Sequence, residues 1–171
     1  MKNVLTTAIL MVFPVCAQQT LPSAIPSKAE FSELFTRAGA GVRAFDKALE
    51  AAKPALDKQD PDLFKKYAST ARTARDVIEA LQDTSPSAYG LVGLITTLGD
   101  VTLNASRAAT VVLLVRGSKQ DPTGTKNSND VVAGLGEAQN GCYEVSELLT
   151  DATLKLIKVE EKVLMDRARQ E

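Results

Sequence analysis

Between residues 131 and 163 the apolar and small side chains recur at alternating gaps of four and three. They are Val131, Leu135, Ala138, Cys142, Val145, Leu149, Ala152, Leu156, Val159 and Val163. Steps of three and four return to one face of an α-helix, so this is the seam of one long helix without a phase error. Asn140-Gly141 has the composition of a turn, yet the seam keeps its phase from Ala138 through Cys142 to Val145, which predicts a helix continuous through the pair. A seam of this length needs partner helices, and three earlier stretches carry the same period. The first runs Phe31, Phe35, Ala38, Val42, Phe45, Leu49, Ala52 and Leu56. The second runs Phe64, Tyr67, Ala71, Ala74, Ile78 and Leu81, and the third Leu91, Leu94, Leu98, Val101, Ala105, Ala108, Val112 and Val115.

Punctuation divides these stretches. Ser27 and Glu30 form an S-x-x-E capping box, in which hydroxyl and carboxylate each accept a free N–H at a helix start. Pro54 lies near the end of the first seam, where it is expected to kink or terminate the last turn. Asp60-Pro61 reads as an N-cap followed by proline at the first helical position, and Ser85-Pro86 repeats that pattern. Gly117 reads as a helix stop, and 117–128 is polar, with Asp121-Pro122 and Gly124, as suits a surface loop. The expected helices are 28–56, 61–82, 86–116 and 130–169, the last beginning near Asn129. Short connections make neighbours antiparallel, which predicts an all-α, up-down-up-down four-helix bundle with a long C-terminal helix. At 1.5 Å per residue the second helix spans about 33 Å and the fourth about 60 Å, so the fourth should overhang.

The first residues read as a secretory signal at 1–17: Lys2 supplies the positive charge, Val4 to Val15 the apolar core, and Val15-Cys16-Ala17 the cleavage end. Processing at Cys16 as a lipoprotein is the alternative, though Phe13-Pro14-Val15 lacks the small residue expected before a lipidated cysteine. The leader is too short to span a bilayer, and no later stretch of about 20 residues is free of charge. The mature chain is therefore expected to be exported, periplasmic or extracellular, without a transmembrane segment. Removing 1–17 from the 171 residues leaves 154, enough for one domain over 27–171 preceded by an extended lead-in at 18–26. Loss of Lys2 takes the formal charge from −1 to −2, with both signs interspersed, so no nucleic-acid partner is expected.

The chain has no His and no Trp, and beyond the leader it keeps one cysteine, Cys142, and one methionine, Met165. Without His there is no Ser-His-Asp or Cys-His nucleophile, no imidazole haem ligand and no Cys/His zinc site. No cofactor, no metal and no catalytic residue is expected. Asp121-Pro122-Thr123-Gly124-Thr125-Lys126 lacks the spacing of a phosphate-binding loop. Asp57, Asp60 and Asp62 share one end of the expected bundle with Asp121, Asn127, Asn129 and Asp130, but their spacing is not that of an EF-hand, and capping explains several of them. The sequon Asn104-Ala105-Ser106 falls inside a helix, and Asp100, Asn104 and Arg107 read as a solvated face. So do the pairs Arg72–Asp76 and Arg75–Glu79.

Cys142 sits on the seam and is expected to be a buried free thiol; the alternative is an exposed thiol that cross-links chains. Gly39, Gly41, Gly90, Gly93, Gly99, Gly134, Gly136 and Gly141 fall inside helices, where they permit either close helix approach or opening around a small apolar ligand. A second apolar stripe lies opposite the main seam in the last third of helix four: Leu154, Ile157, Leu164 and Ala168, with Met165 beside it and Glu161 interrupting. Either a neighbouring segment covers it, or it is a surface for self-association or for another helical protein. The function expected is thus a non-catalytic bundle that acts through protein contact at the C-terminal helix, with apolar-ligand binding within the bundle as the alternative.

Overall fold

A computed structural model describes residues 25–117 and 125–169. The secretory signal and most of the lead-in lie outside the described residues, as do 118–124 of the expected loop. The described chain forms four helices and no strand: α1 (Lys28–Gln59), α2 (Leu63–Gln82), α3 (Ala88–Gly117) and α4 (Thr125–Ala168). They pack as an all-α four-helix bundle in which α1 touches the other three helices, while α2 and α4 do not approach each other.

Individual contacts give the chain directions. Gly41 of α1 lies against Cys142 and Gly141 of α4, and seven residues further along α1 Ala48 lies against Gly134, seven residues back along α4. Asp46 pairs with Arg75 of α2 at 3.2 Å, and the Lys53 ammonium sits 4.9 Å from the Phe64 ring centroid. Between α2 and α3, the Asn104 amide donates to the Thr70 hydroxyl at 2.9 Å, and Leu81 abuts Gly90. In each pair one index rises as the other falls, so these contacts are antiparallel.

The seams face inward. Every member of the α1 and α3 seams is buried, as are Tyr67, Ala71, Ala74, Ile78 and Leu81 of α2; Phe64 is partly covered at the edge. On α4 burial continues from Val131 through Ala152 and then stops: Leu156 is half-covered, and Val159 and Val163 are 43% and 45% exposed. The fourth helix does project beyond the bundle. Lys155 marks the exit point, its side chain 13% exposed and its ammonium 2.6 Å from the Asp151 carboxylate.

Several boundaries depart from their sequence signals. Pro54 does not end α1, which runs on to Gln59. Its ring is solvent-exposed, so the Glu50 carbonyl that loses a helical partner can turn to water, while buried Ala55 and Leu56 hold the last turn to the core. Asp60 caps the end of α1, its N–H donating to the Leu56 carbonyl at 2.8 Å, and its carboxylate accepts the Asp62 N–H; α2 starts after that turn, at Leu63. At α3 the cap is Ser87 rather than Ser85, because the Ser87 hydroxyl accepts the Gly90 N–H at 3.1 Å. The fourth helix begins at Thr125, earlier than the polar run suggests, because Ser128 is buried and the Asn129 side chain accepts from Arg116 instead of capping. The capping box at Ser27 forms as read, with the Glu30 carboxylate accepting the Ser27 N–H at 2.6 Å. That bond, followed by the one from the Ser27 side chain, holds the Glu30 carboxyl below its ordinary range.

Candidate functional site: the projecting end of helix four

From Ile157 to Arg169 every residue is exposed. The surface is set by helical periodicity acting on a segment that has outrun its neighbours. The seam continues as Leu156, Val159 and Val163, and the second stripe presents Leu154, Ile157, Leu164, Met165 and Ala168. Leu164 is 64% exposed and Met165 62%. Leu156 packs partly against the core, and beyond it no described segment covers either stripe.

Charges divide this helix unevenly. Lys155, Lys158, Lys162 and Arg169 share one side. Glu160 and Arg167, two turns apart on a single line, lie on the opposite side, between the two apolar stripes. The residues three and four places from Glu160 are Leu156, Ile157, Val163 and Leu164, so no basic group on its own helix can reach it. Neither Glu160 nor Arg167 makes an ion pair among the described residues, whereas Arg169 reaches Asp166 at 3.9 Å.

The other sequence candidates resolve as follows. Cys142 is fully buried between α1 and α4, and burial pushes its thiol up from 9.0 to about 11, so it is a packed, unreactive side chain. Gly41 explains the close approach there: a Cβ at Gly41 would lie 2.9 Å from the Cys142 sulfur and 3.3 Å from its backbone nitrogen. The glycines thus divide. Gly41, Gly90 and Gly134 serve contacts between helices, while Gly93, Gly99 and Gly136 meet nothing within 4 Å.

At the acidic end, Asp57 pairs with Lys53, Asp62 with Lys65, and Asp60 with the Asp62 backbone. No group of three or more metal-ligating side chains converges among the described residues. Asp121 lies outside the described residues, as does most of the 121–126 segment. Asn104 departs from its reading as part of a solvated face: it is 6% exposed and is spent on the bond to Thr70, because its position on α3 falls at the α2 edge. Arg75 likewise turns away from Glu79 to Asp46, whose carboxyl burial raises against the opposing pull of that guanidinium.

A feature that the seam analysis passed over is the outer face of α3. That helix is long and apolar enough by composition to cross a membrane, and ten of its residues are buried in the bundle. Its outward Tyr89, Val92, Leu103, Leu113 and Leu114 remain exposed. Tyr89 and Val92 adjoin at a spacing of three, Leu113 and Leu114 are consecutive and Leu103 stands alone, along a helix whose inner face is already occupied, which is ordinary for a surface. The grooves between helices are open ones; a representative one of about 360 Å³ runs between α1 and α4, lined by Ala44, Ala48, Ala51, Val131 and Gly134.

No protein-family model matches the chain, and neither a curated protein nor a solved structure matches it.

Proposed function

We propose that this is an exported, non-catalytic helical bundle that acts through protein–protein contact, as an envelope adaptor, assembly component or structural protein. Its contact surface is the projecting end of α4, centred on Leu154, Ile157, Leu164, Met165 and Ala168. One observation carries the reading: the helix leaves the bundle at Ala152–Lys155 and continues with apolar side chains on two sides that the described residues leave exposed. Covering a leucine- or isoleucine-sized side chain is worth about 1.5–3 kcal/mol, so several together supply a driving force for association. The ionisable groups from Lys158 to Arg169 are exposed lysines, arginines and carboxylates, which suits a contact surface in water.

Incorporating a photoreactive side chain at position 164 in the producing cell tests the reading, with exposed Lys66 on α2 as the control position. A higher-mass adduct at 164 and none at 66 is expected. No adduct at 164, or equal adducts at both positions, would sink it.

A further inference from the structure

Glu160 and Arg167 stand in the middle of the apolar arc of α4, flanked by Leu156 and Val163 on one side and Ile157 and Leu164 on the other. A charge at the centre of a contact surface, such as Glu160 with no basic residue three or four places away, weakens every association that does not neutralise it. The two residues are seven apart on the same line, so they lie about 10.5 Å from each other along the helix, too far to pair within one chain. A second copy of the helix laid antiparallel places each Glu160 opposite an Arg167, twice, about a two-fold axis between Val163 and Leu164. Each Leu164 then meets its copy near the axis, and like stripe faces like stripe. A parallel arrangement would set Glu160 against Glu160 and Arg167 against Arg167, which costs rather than gains.

Resting on the reading of α4 as the contact surface, we propose that its partner is a second copy of this chain, paired antiparallel over residues 158–169 through reciprocal Glu160–Arg167 ion pairs. Lys158, Lys162 and Arg169 then point away from the pairing line and stay in water. The two bundles sit at opposite ends of the paired segment, clear of each other. A lipid surface fits less well, because Glu160 would enter the apolar layer without a counter-charge. The paired segment is short, at the small end of specific interfaces, which bury about 1,000 Å² or more in all, so the dimer dissociates on dilution.

Molecular mass by light scattering across a dilution series tests the pairing, using the protein and its E160R and R167E variants. The parent chain should pass from one to two copies with concentration. Each single variant places like charges in both pairs and should raise the dissociation constant about tenfold or more. An equimolar mixture of the two variants restores opposite charges in both pairs and should recover dimerisation, as should the doubly exchanged chain. Helical content by circular dichroism should be the same for all variants at a dilution where each is a single copy, since both positions are exposed. A parent chain monomeric at every concentration, single variants that dimerise like the parent, or a mixture that stays monomeric would each overturn the pairing. A monomeric parent that cross-links through position 164 to a different protein, or floats with anionic phosphatidylglycerol vesicles, overturns self-pairing. The cross-link alone would leave the contact reading intact; a chain that neither dimerises nor cross-links loses both.

Discussion

Two glycines on different faces of this bundle make opposite predictions, and the difference lies in what a single carbon would meet. At Gly41 an added Cβ would press on Cys142, including its backbone nitrogen, which cannot rotate away. Gly41→Ala should therefore destabilise by about 1–3 kcal/mol, the usual cost of overpacking. Gly99 has open space and sits mid-helix, so Gly99→Ala should stabilise by up to about 1 kcal/mol. Urea unfolding of both variants checks the signs; equal effects would contradict the account of the α1/α4 crossing. Cys142 itself is a stability group rather than a reactive one. Its thiol is raised in the folded protein from 9.0 to about 11, so the folded state favours the neutral form. That contribution is fully present below about pH 9 and is lost as pH rises toward 11, a change on the order of 2 kcal/mol across the window. The stability difference between the protein and Cys142→Ala should accordingly shrink between pH 8 and pH 11; a pH-independent difference would contradict it.

At the scale of the helices, what was legible in the sequence was the interior. The four seams are periodic because burial is periodic, and the bundle covers every side chain from Phe31 to Ala152 that the spacing assigns inward, apart from Phe64 at the edge, along with Ala48, Ala55 and Ala88, which it did not assign. Helix ends were less legible because several residues compete for the same few hydrogen bonds. Ser85 and Ser87 both have the chemistry of a cap, and only the chain path decides that Ser87 meets the Gly90 N–H. Pro54 is a breaker by local rule, overridden by the burial of Ala55 and Leu56 beyond it. Polar residues at element edges were misread for a related reason. Asn104 looks solvated beside Asp100 and Arg107 until a second helix brings Thr70 within 2.9 Å, and Arg75 has two acceptors in reach, of which Asp46 lies on another helix. The double exposure of the α4 end was legible only as a question, since the sequence shows two stripes but not where the other helices stop.

For the molecule as a whole, one helix runs through two different surroundings. Up to Ala152 the α4 seam closes a core with α1 and α3, and beyond Leu156 the same periodicity, without neighbours among the described residues, leaves the exposed apolar surface that we propose as the contact site. The two segments should differ in how their backbone protection depends on concentration. Core amides are released only by opening of the bundle, whereas those of an unpartnered helix end fray, and pairing protects them by mass action. Hydrogen–deuterium exchange along α4, read at low and at high protein concentration, is the most direct test. The account predicts protection over 131–152 at both concentrations, and over 156–168 only at the high one. Protection of 156–168 that is already complete at high dilution, or that never appears, would contradict it.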